Sequence, residues 1–161
     1  ALLQSVIIGL TLMVFTMAAL TVIDHLGRKK LMLVGSIGYI LSLSTAAFSF
    51  YSGRGGQLLL ASLIVFIASH AFGQGAVIWV FLSEIFPNRV RARGQALGSF
   101  THWVMAAAIS WTFPMIAAKS GGHAFSFYAL CCVGQLLWVL FLMPETKGIS
   151  LEKIQQKLGI E

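Results

Sequence analysis

The sequence has 161 residues, of which 58% are hydrophobic and only 10% charged, with a mean hydropathy of +0.87 and a net charge of +6. A water-soluble domain carries roughly 25% charged residues, so a soluble enzyme core is excluded. Two adjacent cysteines likewise exclude a disulfide scaffold.

The few charges divide the chain into five uncharged runs: Ala1 to Ile23, Leu31 to Gly53, Gly55 to Ser83, Gly94 to Ala118 and Ser120 to Pro144. A helix rises ~1.5 Å per residue and needs ~20 apolar residues to cross the hydrocarbon core of a bilayer. Each run exceeds that length, so the sequence predicts an all-α membrane protein with five transmembrane helices. The spans fall at about residues 2–23, 31–51, 58–82, 96–117 and 124–143. Together they make a membrane bundle over 1–144, followed by a tail over 145–161.

The first run begins at Ala1 with no basic segment before it, which does not fit a signal peptide. The expectation is a piece of a longer bundle that lacks its front. The turn Asp24-His25-Leu26-Gly27-Arg28-Lys29-Lys30 follows. In the second span Gly35, Gly38 and Ser42 recur at helical spacing, and small residues of that kind let helices approach closely in lipid. The third span contains Gly73-Gln74-Gly75 and Trp79. It has neither the third glycine nor the preceding strand of a dinucleotide-binding loop. Two glycines at mid-span weaken a helix and allow a break where the backbone lines a cavity.

Trp79 lies four residues beyond Gly75, on the same side of a helix, whereas His70 and Trp79 are nine apart. They face one cavity only if the helix is interrupted near Gly73 to Gly75. The fourth span holds His102, Trp103 and Trp111, and the fifth holds Cys131 and Cys132, read as small buried apolar residues. Pro144 closes the fifth span. Ser150, with Leu151, Ile154 and Leu158 behind it, predicts a short amphipathic tail helix.

Nine of the eleven basic residues fall in the segments Asp24 to Lys30, Glu84 to Arg93 and Glu145 to Glu161, which five crossings place on one side. Short cytoplasmic loops collect Lys and Arg, so this side is predicted to be cytoplasmic and to hold the C-terminus. The bias accounts for the high pI without nucleic-acid binding. All five acids share that side, and acids and bases gathered at the same helix ends are candidates for an ion-pair network. His70 and His102 lie within spans. A histidine there either lines a polar path or sits neutral against a neighbouring helix. Trp79 and Trp103 each offer an apolar face for a sugar ring and an N–H donor. The scattered histidines give no metal site, and no cofactor is expected.

Three stretches then stand in order: Asp24-x-x-Gly27-Arg28-Lys29, Gly73-x-Gly75-x-x-x-Trp79-x-x-x-x-Glu84-Ile85-Phe86-Pro87-x-x-x-Arg91, and Pro144-Glu145-Thr146-Lys147-Gly148-x-Ser150-Leu151-Glu152. Over essentially the whole chain this pattern resembles helices eight to twelve of the sugar porter family of the major facilitator superfamily. Ser83 to Asn88 and Trp111-Thr112-Phe113-Pro114 look most like its bacterial xylose and hexose proton symporters.

The resemblance implies most of the C-terminal half of a twelve-helix carrier in the cell (inner) membrane. Such a carrier moves a monosaccharide by alternating access, coupled to a proton, and catalyses no bond chemistry. Gly75, Trp79, His102 and Trp103 match positions that line the sugar, and His70 falls where an aromatic is usual. Asp24, Arg28, Glu84, Arg91 and Glu145 match a cytoplasmic charge network that locks the outward-facing state. Its partners would be the sugar, the proton, the bilayer and the N-terminal helices of the same carrier. A transporter-like sugar sensor and a carrier for another class of solute are the alternatives. This sequence departs from the family's usual pattern at Ala76, where proline is common, and at His102, where Asn or Gln is usual.

Overall fold

A computed structural model describes residues 2–53, 56–149 and 153. Six helices follow one another: α1 (Leu2–Leu26), α2 (Arg28–Tyr51), α3 (Gln57–Phe72), α4 (Gln74–Ile85), α5 (Arg91–Ala117) and α6 (Gly121–Phe141). There is no strand among the described residues. The expected tail helix around Ser150 lies outside them.

α3 and α4 are the two halves of one crossing, Gln57–Ile85, interrupted at Gly73. With α1, α2 and α6 it makes four stretches long and apolar enough to cross a membrane. α5, at 27 residues, has the length of a fifth. Ser99, Thr101, His102, Ser110 and Thr112 make it less apolar than the others.

The burial pattern differs from a soluble protein's in how much large apolar side chain it leaves exposed. Ser36 and Ser49 are fully buried, while Leu3, Met17, Phe100, Trp111, Met115 and Phe141 are exposed. So much contiguous apolar surface is not left facing water in a monomeric soluble protein. The buried apolar cluster sits at one end of the bundle, where Ile23 (α1), Leu31 and Met32 (α2), Val77 and Phe81 (α4), Val139 (α6) and Met143 meet.

α2 is the central rail. Its small residues admit the broken helix at close range: a Cβ at Gly73 would stand 2.8 Å from the Gly35 Cα, and one at Gly38 would strike Ser69. Without a hydrophobic force between helices in lipid, such close approach is what holds them together. The turn between α1 and α2 depends on Gly27, whose φ of +92° is disfavoured for any residue with a side chain. A Cβ there would also collide with the Glu145 carboxylate. At the other end of α4, Phe86 turns extended before Pro87, as expected for a residue that precedes proline.

Candidate functional site

The break at Gly73 determines what the bundle encloses. Gly73 has φ −101° and ψ −99°, and α4 restarts at Gln74. The last turn of α3 and the first turns of α4 therefore present side chains to the same space, a cavity of about 540 Å³ among α2, α3, α4, α5 and α6. His70, Gly75, Trp79 and His102 all line it. His70 and Trp79 share this wall because the helix between them is not continuous.

Gly75 is where His70 lies over the backbone: a Cβ at Gly75 would begin 3.0 Å from the imidazole Nε2. On the facing helix, the His102 ring sits between two indoles at steep angles, its centroid 5.3 Å from that of Trp79 and 5.4 Å from that of Trp103. Trp103 is not part of the cavity wall. It is 66% exposed and reaches the site only through His102.

Of the other lining residues, Tyr39, Gln74, Gln135 and Trp138, none of them singled out in the sequence, bring further polar or aromatic groups to the wall. The Gln74 amide nitrogen donates to the Ser36 hydroxyl at 3.0 Å and to the Met32 carbonyl at 3.3 Å. Gln135 donates to the same Ser36 oxygen at 3.3 Å from α6. A buried polar knot thus joins α2, α4 and α6 beneath the cavity, with the Gln74 carbonyl oxygen left without a hydrogen-bond partner. The signal in the sequence was a pair of glutamines inside apolar spans, where polar groups are expensive and usually face the bundle interior.

The wall combines indole faces with amide and imidazole polar groups, and no lining carboxylate is present among the described residues. Such a mixture suits a neutral polyol with an apolar ring face. A second, more apolar cavity of about 420 Å³ adjoins it through Tyr39, Ile109 and Gln135. Cys131 and Cys132 line this second space, and Cys131 is exposed rather than buried.

The charged residues assemble at the end of the bundle below the apolar cluster. Arg28 is the hub. Its guanidinium grips Glu84 with two nitrogens, at 2.6 and 3.1 Å, and Asp24 with a third at 2.8 Å. The Thr146 hydroxyl donates to the same Glu84 carboxylate at 2.6 Å. Glu145 plays a different part. Gly27, at the N-cap of α2, has no side chain to cap with, and the Glu145 carboxylate accepts instead from the backbone N–H groups of Arg28 (2.9 Å) and Lys29 (3.1 Å). A carboxylate on a helix N-terminus satisfies free donors and meets the positive end of the helix dipole.

All of these partners belong to one bundle, so the ties join neighbouring ends of α1, α2, α4 and the segment after α6 at one end of it. Arg91 stands apart. Its Nε donates to the Phe86 carbonyl at 3.4 Å, and its buried Nη2 has no hydrogen-bond partner.

A family model described as "Sugar (and other) transporter" matches residues 1–158. The D-xylose-proton symporter of Escherichia coli (strain K12) is 35% identical over 162 residues, which covers 96% of this chain and 33% of that protein. A facilitated trehalose transporter of Bombyx mori is 34% identical, covering 97% of this chain and 32% of that one. Among solved structures, the inward-open conformation of the xylose transporter XylE from E. coli superposes with a TM-score of 0.89 at 34% identity, over 96% of this chain and 35% of that one. XylE bound to 6-bromo-6-deoxy-D-glucose also gives 0.89, at 33% identity, over 97% of this chain and 34% of that one. The chain spans about a third of the length of these relatives.

Proposed function

This chain belongs to the sugar (and other) transporter family of multi-pass membrane proteins, and we propose that it forms most of the C-terminal half of a proton-coupled monosaccharide carrier. Residues 1–144 are the membrane part. Residues 145–161, with the basic segments around Lys29 and Arg91, face the cytoplasm from the cell (inner) membrane.

The observation that carries this reading is the cavity opened by the break at Gly73, which gathers Gly75, Trp79, His70 and His102 at mid-bundle. Non-helical backbone at membrane depth is tolerated where it lines a cavity, and carriers place their substrate sites at such discontinuous helices. In this site the sugar stacks on Trp79 and bonds through its hydroxyls to His102 and His70, with Trp103 holding His102 from outside. The remaining helices of the carrier supply the opposite wall.

The inner cluster is the second part of the mechanism. Asp24, Arg28, Glu84 and Glu145 gather the inner ends of the helices beneath the cavity and so favour the state closed to the cytoplasm. Arg91, which makes no ion pair among the described residues, is left to meet a carboxylate from the other half.

A sugar sensor with the same fold would bind without flux, so accumulation decides between them. Vesicles holding the full-length carrier are expected to concentrate labelled xylose or glucose under an inward proton gradient, and to lose the accumulated sugar when a protonophore is added. Binding without accumulation contradicts the proposal. Equilibration that ignores the gradient contradicts its proton coupling.

A further inference from the structure

Tyr39 sits near the middle of α2, 7% exposed, with its ring stacked on Phe66 at 4.8 Å. Its hydroxyl lies 2.5 Å from the His70 Nδ1. A single proton bridges such a pair, and two arrangements are open: the phenol donates to Nδ1, or a protonated Nδ1 donates to the phenol oxygen. In the second, the phenol hydrogen needs an acceptor of its own. Tyr39 makes no other hydrogen bond among the described residues, and of the two groups the phenol O–H is the stronger donor and the imidazole nitrogen the stronger acceptor. The phenol therefore donates. With the Nδ1 lone pair engaged, the proton of the neutral imidazole resides on Nε2.

That nitrogen is the one lying over Gly75 at the cavity wall. It has no hydrogen-bond partner among the described residues, whereas the neighbouring Gln74 nitrogen is committed to Ser36 and Met32. His70 Nε2–H is thus a free donor at that end of the cavity.

We infer that Tyr39 is a positioning residue: it holds His70 in the tautomer whose Nε2–H faces the cavity and donates to an oxygen of the bound sugar. The inference rests on the reading that this cavity binds sugar. The site then selects sugars bearing a hydroxyl or ring oxygen at that point over the corresponding deoxy compound.

The test uses the full-length carrier and has two independent readouts. The first is the ¹⁵N spectrum of the histidine-labelled carrier in lipid, with the His70 signals identified by their loss in His70→Phe. The wild type is expected to show a protonated Nε2 and a bare Nδ1, and Tyr39→Phe to mix the two tautomers. A protonated Nδ1 in the wild type, or signals that Tyr39→Phe leaves unchanged, overturns the inference.

The second is uptake kinetics with glucose and its single-deoxy analogues. Tyr39→Phe keeps the ring packing, and should raise the half-saturation concentration roughly three- to tenfold, the worth of one hydrogen bond, while sparing the maximal rate. His70→Phe should erase the penalty that the wild type imposes on one deoxy analogue, and His70→Gln, which keeps an N–H donor, should restore part of it. No change in half-saturation for Tyr39→Phe, or a loss confined to maximal rate, overturns the donation to sugar. Failure of Trp79→Ala to affect uptake is a separate result, and removes the premise rather than this step.

Discussion

Trp79→Ala in the full-length carrier is expected to raise the sugar concentration for half-maximal uptake at least about tenfold, or to abolish uptake. Trp79 projects from α4 with 43% of its surface free, and its ring meets His102 at a steep 68° rather than stacked face to face. A ring face remains for the apolar C–H face of a sugar. If about 100 Å² of that face is covered, at about 25 cal/mol per Å² the contact is worth about 2.5 kcal/mol, a factor well above ten in affinity. The natural control is Trp111→Ala on α5. Trp111 is 83% exposed and lines neither cavity, so its removal should leave half-saturation within about twofold, as for surface changes in general. Unchanged half-saturation for Trp79→Ala would remove the indole from the site.

Neutralising Glu84 should produce the largest change in the conformational balance. The Arg28 side chain is 10% exposed and Glu84 24%, and two nitrogens of the first meet both oxygens of the second. Removing one partner of such a mostly buried pair costs on the order of 3 kcal/mol, because the other charge is left stranded. Asp24, with its carboxylate 77% exposed, cannot compensate, since solvated pairs are worth ~0 to 1 kcal/mol. On the premise that this pair is intact only in the state closed to the cytoplasm, Glu84→Gln is expected to move the carrier towards the inward-open state by roughly a hundredfold in population ratio. Asp24→Asn should move it by no more than about fivefold. Labelling of single cysteines from the two sides of the membrane reads the ratio. A Glu84→Gln carrier with the wild-type distribution would show that the cluster braces the helices without governing their opening.

What the sequence made legible follows from which features are local. The crossings could be read because charge is excluded from lipid, so the charged residues mark the ends. The break in the third crossing could be anticipated because Gly73 and Gly75 sit where a helix needs side chains. The convergence of Tyr39, Gln74, Gln135 and Trp138 on one cavity was not legible, because it depends on how α2, α4 and α6 rotate against one another. Spacing within a helix carries no information about that.

The charged residues show the same limit. Their shared rim was evident from the loops, but the pairing within it was not. The sequence reading assigns five acids and nine bases to one side, which allows many combinations, and among the described residues the structure selects Arg28 with Glu84 and Asp24 while leaving Arg91 apart. Glu145 caps α2 across 117 positions. Only the fold brings the segment after α6 back to the turn at Gly27.

The central claim is that one sugar-binding cavity opens to each side of the membrane in turn. A single cysteine at Ile78, which lines the cavity beside Trp79, tests it in the full-length carrier once Cys131, Cys132 and any cysteines elsewhere in that carrier have been replaced by alanine. A membrane-impermeant thiol reagent is expected to reach it from the outside of intact cells and from the inner face of inverted vesicles, with sugar slowing both reactions. Reaction from one side alone, at a rate that sugar does not alter, would contradict the account.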